Sequence, residues 1–239
     1  MTIQTRLIEY QHGEVLLEGF FAWDDSAPGQ RPAVAIAHAW GGRGEFEEEK
    51  ALKLAEQGYV GFALDMYGKG VRGNNPEENT LLMTPFMQDR GLLQERMAKG
   101  IATLRQQPEI DGGRVAAMGY CFGGLCVLDL ARTGSDVLGV VSFHGLFTPP
   151  GNTAGEQISA RVLCLHGYDD PMVQPQTMLD LAAELTAAGA DWQVHAYGDT
   201  VHSFTNPAAD DKAAGTAYDA AADRRSWVAL QNFLEETLN

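Results

Sequence analysis

The chain has 239 residues, 45% of them hydrophobic and 21% charged, which fits a globular protein with a substantial core. Its 17 basic residues against 32 acidic ones leave a formal net charge of -15, which argues against a nucleic-acid partner because nothing would neutralise phosphates. No run of about 18 apolar residues occurs, so no membrane partner is expected, and Met1 to Arg6 lacks the apolar core of a signal peptide.

In chain order, Ile3 to Tyr10 and Glu14 to Trp23 read as an antiparallel hairpin turned at His12-Gly13, with His12 on the surface. Asp24 to Arg31 is a loop, and Pro32 to Ala37 is a first buried parallel strand. The strand opens into His38-Ala39-Trp40-Gly41-Gly42, before a helix from about Glu45 to Gln57 capped by Gly58. Tyr59 to Leu64 is the next strand. Lys69 to Thr80 is a polar surface excursion, and Leu81 to Gln107 reads as one long helical region. Asp111-Gly112-Gly113 turns the chain into the strand Arg114 to Met118, and Leu125 to Ala131 is a buried helix. Leu138 to Phe143 and Arg161 to Leu165 are further strands, each closing on a histidine and a glycine. A helix marked by Met178, Leu181 and Leu185 follows, then a last strand, Asp191 to Tyr197. The C-terminal helix carries Trp227, Leu230, Leu234 and Leu238 on one face. This alternation predicts a mostly parallel, doubly wound α/β sheet in a single domain spanning residues 1–239. In such sheets ligands bind beyond the carboxyl ends of the strands.

The sharpest signal is Gly119-Tyr120-Cys121-Phe122-Gly123-Gly124, lying between a strand and a helix. That arrangement is the nucleophile elbow of an α/β-hydrolase, with cysteine in the nucleophile position. The glycines let strand and helix approach without Cβ collisions. A thiol works as thiolate, so it needs a base. In hydrolase order the acid and then the histidine follow. His202, in the loop after the last strand, is the predicted base, while His195 lies within that strand. Asp169 and Asp170 both follow a strand. Asp170 is the chosen acid because Pro171 stiffens the turn just after it, although either aspartate could simply hold the turn. The backbone N–H of Phe122 and one from His38-Ala39-Trp40, assigned to Trp40, form the predicted oxyanion hole. Lys69, Arg72 and His144 are candidate substrate contacts. The alternative for the two cations is a solvated side chain, and for His144 a capping role. No Cys/His spacing suggests a metal and no glycine-rich phosphate loop is present, so no cofactor is expected. Cys121, Cys126 and Cys164 cannot all pair, which points to free thiols and a cytoplasmic location.

Gly-Tyr-Cys-Phe-Gly-Gly, Asp-Met-Tyr-Gly-Lys-Gly, Asp-Asp-Pro-Met-Val and His-Ser-Phe together resemble the dienelactone hydrolase (carboxymethylenebutenolidase) family from about Ala33 onward. The resemblance implies a Cys121, Asp170 and His202 triad and oxyanion donors Phe122 and Trp40. It also implies cleavage of a small ester or lactone through an acyl-thiol intermediate, by a monomer or small homo-oligomer. Two departures stand out. Ala39 occupies the place of a family glutamate that contacts the thiol, and Asn206 that of an arginine that clamps the substrate carboxylate. They motivate an alternative, a non-catalytic ligand-binding or sensing protein on a hydrolase scaffold. A serine hydrolase is disfavoured because Ser203 is on no elbow, and a dehalogenase because the elbow holds no aspartate.

Overall fold

The strands Ile3–His12 (β1) and Val15–Asp24 (β2) form the N-terminal hairpin. Arg31–Ala37 (β3) leads through a loop to helix Glu45–Glu56 (α1) and strand Val60–Ala63 (β4). Helices Pro76–Gln88 (α2) and Arg90–Arg105 (α3) precede strand Ile110–Tyr120 (β5) and helix Phe122–Arg132 (α4). Gly139–Phe143 (β6), Arg161–Gly167 (β7), helix Pro175–Ala187 (α5) and Trp192–Tyr197 (β8) follow. A two-residue ribbon, Asp210–Asp211 (β9) with Thr216–Ala217 (β10), comes before the C-terminal helix Ala220–Leu238 (α6). The structure, a computed structural model, describes residues 2–26 and 28–239. Met1 and Ala27, the latter within the loop expected from Asp24 to Arg31, lie outside the described residues.

Eight strands join in the order β1-β2-β4-β3-β5-β6-β7-β8. The hairpin is antiparallel and β2 joins β4 antiparallel, whereas every pairing from β4 to β8 is parallel. Apolar runs such as Ala33-Val34-Ala35-Ile36 are wholly buried because helices cover both faces. On one face Leu54 of α1 and Leu230, Phe233 and Leu234 of α6 pack on the sheet. On the other, Leu93 and Met97 of α3, Leu125 of α4 and Leu181 of α5 do so. This is the mostly parallel α/β-hydrolase architecture with its N-terminal hairpin.

Three local expectations change. The long helical region is two helices, broken at Asp89, which accepts the N–H of Leu92 and so caps α3. Pro85 sits in the last turn of α2, where its missing N–H weakens the ladder just before the break. Asp111-Gly112-Gly113 belongs to β5 and makes an irregularity in its pairing with β3, because the register shifts between Arg31 and Ala33. His12 is only half exposed: its Nδ1 accepts the Nε–H of the buried Arg96 at 2.9 Å.

Candidate functional site

Cys121 sits between β5 and α4 with φ 55 and ψ -114, a region L-residues rarely occupy. Packing holds it there. A Cβ on Gly119 would lie 2.9 Å from Gly123 Cα, and one on Gly123 would meet Ala37 C at 2.6 Å and His38 O at 2.8 Å. The three elements therefore close on each other at backbone distance, and the strained residue is pushed out at their apex. Its own N–H donates to Phe143 O at 3.0 Å, which ties the elbow to β6. The thiol is partly exposed, whereas Cys126 and Cys164 are fully buried and all three are free.

His202 lies in the loop after β8, 2% exposed. Its N–H donates to Gly215 O at 3.0 Å and its carbonyl accepts Ala217 N–H at 3.1 Å, so the β10 region grips its backbone from both sides. Its Nδ1 is 2.7 Å from Asp170 Oδ2. The other carboxylate oxygen of Asp170 accepts Met172 N–H at 2.8 Å, which aims the group. Asp170 is buried, while Asp169 points to solvent. Neither aspartate caps α5, whose N-cap is Gln174. Burial pulls the His202 imidazole's pKa down. The neighbouring Cys121 sulfur and the Asp170 carboxylate outweigh it and push the value up to about 10. The Cys121 sulfur and the Asp170 carboxylate thus favour a protonated ring, against burial.

The cavity in front of Cys121 measures about 260 Å³ and is lined by Trp40, Glu47, Arg72, Tyr120, His144 and Asn206 among others. Arg72 and His144 therefore reach it. Lys69 is outside, its ammonium paired with Glu9 and, at 3.1 Å, with Glu18. The substrate contact expected of Lys69 has no geometric support, because two carboxylates on the hairpin hold the side chain. His144 takes a left-handed backbone (φ 38), and its Nε2 lies 2.8 Å from Thr205 Oγ1. Its ring stands edge-on to that of His202, with centroids 5.1 Å apart. Burial, then the charge of His202, holds the His144 pKa well below the usual histidine range. His166 is buried against Phe147 and does not line the cavity. A larger cleft, about 580 Å³, runs between α5 and residues 147–158. Its basic group, Arg132, is already taken by Glu184 and by Phe147 O, so volume alone marks it.

The loop from His38 to Gly44 forms another wall. The His38 Nδ1–H donates to Ala39 O at 2.6 Å while Nε2 accepts Met66 N–H at 3.2 Å, which fixes a neutral tautomer; burial likewise lowers its pKa. The Tyr67 hydroxyl donates to Trp40 O at 2.9 Å. Among the described residues, the N–H groups of Trp40 and Phe122 have no protein acceptor. Glu47, 3% exposed, accepts N–H groups of this loop and was not singled out in the sequence. Nothing in the run Glu45 to Glu49 distinguishes it from a solvated helix face. Tyr67 and Thr205 were likewise unassigned, although Tyr67 sits in the Asp-Met-Tyr-Gly motif. Among the described residues no cluster of His, Cys, Asp or Glu could hold a metal, and no helix is long and apolar enough to cross a membrane.

The sequence profile of the dienelactone hydrolase family matches residues 17–238. A carboxymethylenebutenolidase of Pseudomonas putida is 26% identical over 194 residues, covering 78% of this chain and 80% of its own. A solved dienelactone hydrolase-like promiscuous phosphotriesterase from metagenomic libraries is 37% identical, covers 99% of both chains and superposes with a TM-score of 0.93. The solved dienelactone hydrolase of Anabaena variabilis, 19% identical with a TM-score of 0.70 over 99% of both chains, shares the fold.

Proposed function

Because this chain belongs to the dienelactone hydrolase family, we propose that it is a cysteine-dependent hydrolase of small lactones or activated esters. The observation that carries the reading is an imidazole anchored 2.7 Å from a buried carboxylate and neighboured by Cys121, itself strained at φ 55. His202 takes the thiol proton and holds it as imidazolium. The Cys121 thiolate adds to the acyl carbon, and the carbonyl oxygen becomes an oxyanion facing the unpaired N–H groups of Phe122 and Trp40. As the tetrahedral intermediate collapses, the carbon–oxygen bond to the leaving group breaks. His202 delivers its proton to that oxygen, leaving an acyl-thiol. Water then enters, His202 removes its proton, and the second tetrahedral intermediate expels the thiolate. Asp170 fixes the tautomer and stabilises the imidazolium throughout, as in other triads.

The small cavity favours compact acyl groups, and enol lactones, thioesters or aryl esters suit a thiolate better than amides because their leaving groups are more stable anions. Arg72 supplies a cation to the cavity, while Asn206 offers only neutral hydrogen bonds, so an acidic substrate would meet a single arginine and no bidentate pair of them. The whole chain acts as one catalytic domain in this reading, without a cofactor.

The test is rapid-mixing hydrolysis of p-nitrophenyl acetate. A burst equal to the enzyme concentration, lost in Cys121→Ser and His202→Ala, supports the acyl-thiol route. A Cys121→Ala protein with full activity overturns it, and a wild type with neither burst nor turnover returns the scaffold to ligand binding. The solved phosphotriesterase-like relative favours a second reading, thiolate attack at phosphorus of an aryl phosphotriester. Release of p-nitrophenolate from a p-nitrophenyl phosphotriester, abolished in Cys121→Ala, would support it.

A further inference from the structure

The loop that carries Trp40 is held in an unusual manner. Every carbonyl from Ala39 to Gly41 accepts a hydrogen bond. Ala39 O accepts from His38 Nδ1 at 2.6 Å and from Gly42 N–H at 3.2 Å. Trp40 O accepts the Tyr67 hydroxyl at 2.9 Å. Gly41 O accepts Gly73 N–H at 3.1 Å. Among the described residues the Trp40 N–H has no protein acceptor.

One side chain spans both ends of this loop. Glu47, at the third position of α1, accepts Gly44 N–H with Oε2 at 2.9 Å and Ala39 N–H with Oε1 at 3.2 Å. The first bond alone would be ordinary helix capping. The second is not a cap. It reaches eight residues back, to the peptide directly before Trp40. The carboxylate is 3% exposed yet lines the same cavity as Cys121. Burial raises its pKa, and the two N–H bonds and the Arg72 guanidinium oppose that. A buried anion beside a thiolate and a developing oxyanion is electrostatically adverse, so retaining it there calls for a compensating function.

We infer that Glu47 is the positioning residue of the oxyanion hole: its carboxylate staples Ala39 to Gly44 and thereby fixes the direction of the Trp40 N–H. The inference rests on the acyl-thiol reading above. It makes a prediction opposite in sign to a purely electrostatic role. Neutralising Glu47 removes a negative charge from the cavity, which by Coulomb's law alone favours both thiolate and oxyanion and would speed acylation. Loosening the staple misaims a donor and slows it. Complete loss of one oxyanion donor costs about 10²–10³ in rate, so a misaimed one should cost less.

The experiment compares two reactions of the same sulfur. Acylation by p-nitrophenyl acetate builds an oxyanion, whereas alkylation by iodoacetamide builds none. Glu47→Gln keeps the size but can accept only one of the two bonds, and Glu47→Ala accepts neither. The expected result is a fall in burst rate of about 5-fold for Gln and about 30-fold for Ala, both short of the loss of a whole donor. The ester concentration at half-maximal burst rate should stay nearly constant, as should the alkylation rate of Cys121. Faster or unchanged acylation in Glu47→Gln overturns the staple, and so does an equal fall in acylation and alkylation, which would place the effect on the thiol or on folding. Thermal melts of both variants identify a folding defect. Glu47→Asp, which keeps the charge at shorter reach, should lie with the slow variants if geometry rather than charge governs. A wild type that alkylates at Cys121 but never acylates fails the acyl-thiol reading itself, and the staple falls with it.

Discussion

The protonation of His202 is the prediction on which the chemistry turns. Its imidazole is raised from the ordinary 6.5 to about 10, with burial opposing the shift and the Cys121 sulfur and Asp170 carboxylate driving it. At about 1.4 kcal/mol per pKa unit, the site favours imidazolium by on the order of 5 kcal/mol more than water does. Cys121→Ala removes the foremost driving group, so the ring should titrate well below the wild-type value while its Asp170 bond persists. Asp170→Asn should lower it as well. The assay is the pH dependence of histidine ring carbon-bound proton shifts by NMR, with His202→Gln to assign the signal. Of the six histidines, His38, His144 and His166 have burial as their main perturbation, and it pushes them down. The expected high titration therefore stands apart from theirs. The raised value also dictates a direction for stability. The His202 contribution is fully present below about pH 6.5 and is lost as pH rises through about 10, so the difference in unfolding free energy between wild type and His202→Gln should shrink over that window. A wild-type His202 titrating near 6.5, unmoved by Cys121→Ala, would refute the thiolate–imidazolium pair.

Other outcomes follow from particular contacts. Gly123→Ala places a methyl 2.6 Å from Ala37 C and 2.8 Å from His38 O, backbone atoms at the end of a central strand and the start of its loop that cannot yield. A cost of about 1–3 kcal/mol or more and a lower melting temperature are expected, whereas Gly112→Ala, whose Cβ would touch only Arg105 Cγ at 4.0 Å, should change little. Asp129→Asn strips a fully buried carboxylate from Arg90 and Arg132 and should destabilise by about 3–5 kcal/mol, read by chemical denaturation. Arg72→Gln should raise KM for an ester bearing a carboxylate and leave that for a neutral ester unchanged, checked with a matched substrate pair. Tyr67→Phe deletes the hydrogen bond to Trp40 O and should lower kcat a few-fold, in steady-state assays with KM nearly constant.

The layered α/β architecture was legible because its signals are local. A continuous apolar run such as Ala33 to Ala37 is buried on both faces, and that composition is what a central parallel strand demands. The elbow was legible for the same reason, since strand, glycines and helix are contiguous in the chain. The break at Asp89 was harder to read. Leu81 to Gln107 keeps a helical apolar spacing, and the break comes from Pro85 in the last turn of α2 and the capping of Leu92 N–H by Asp89. The choice of Asp170 over Asp169 rested on one proline. In the fold the choice is geometric: Asp169 faces solvent and Asp170 meets His202.

The furnishings of the cavity were legible only where they sat next to a motif. Arg72 and Lys69 look alike in sequence, two basic residues in one polar excursion, yet Lys69 is drawn off by Glu9 and Glu18 on the hairpin, 60 and 51 residues away in the chain. No local pattern encodes that competition. The loop around Trp40 makes the same point more strongly. Its carbonyls are held by Tyr67 and Gly73, from the segment after β4, and its two ends by Glu47 of α1. A backbone N–H can serve as a pre-aimed donor only if its neighbouring peptides are satisfied elsewhere. The partners that satisfy them come from whichever elements the fold brings alongside, so the motif proposes a donor while its aim is a property of the packed molecule.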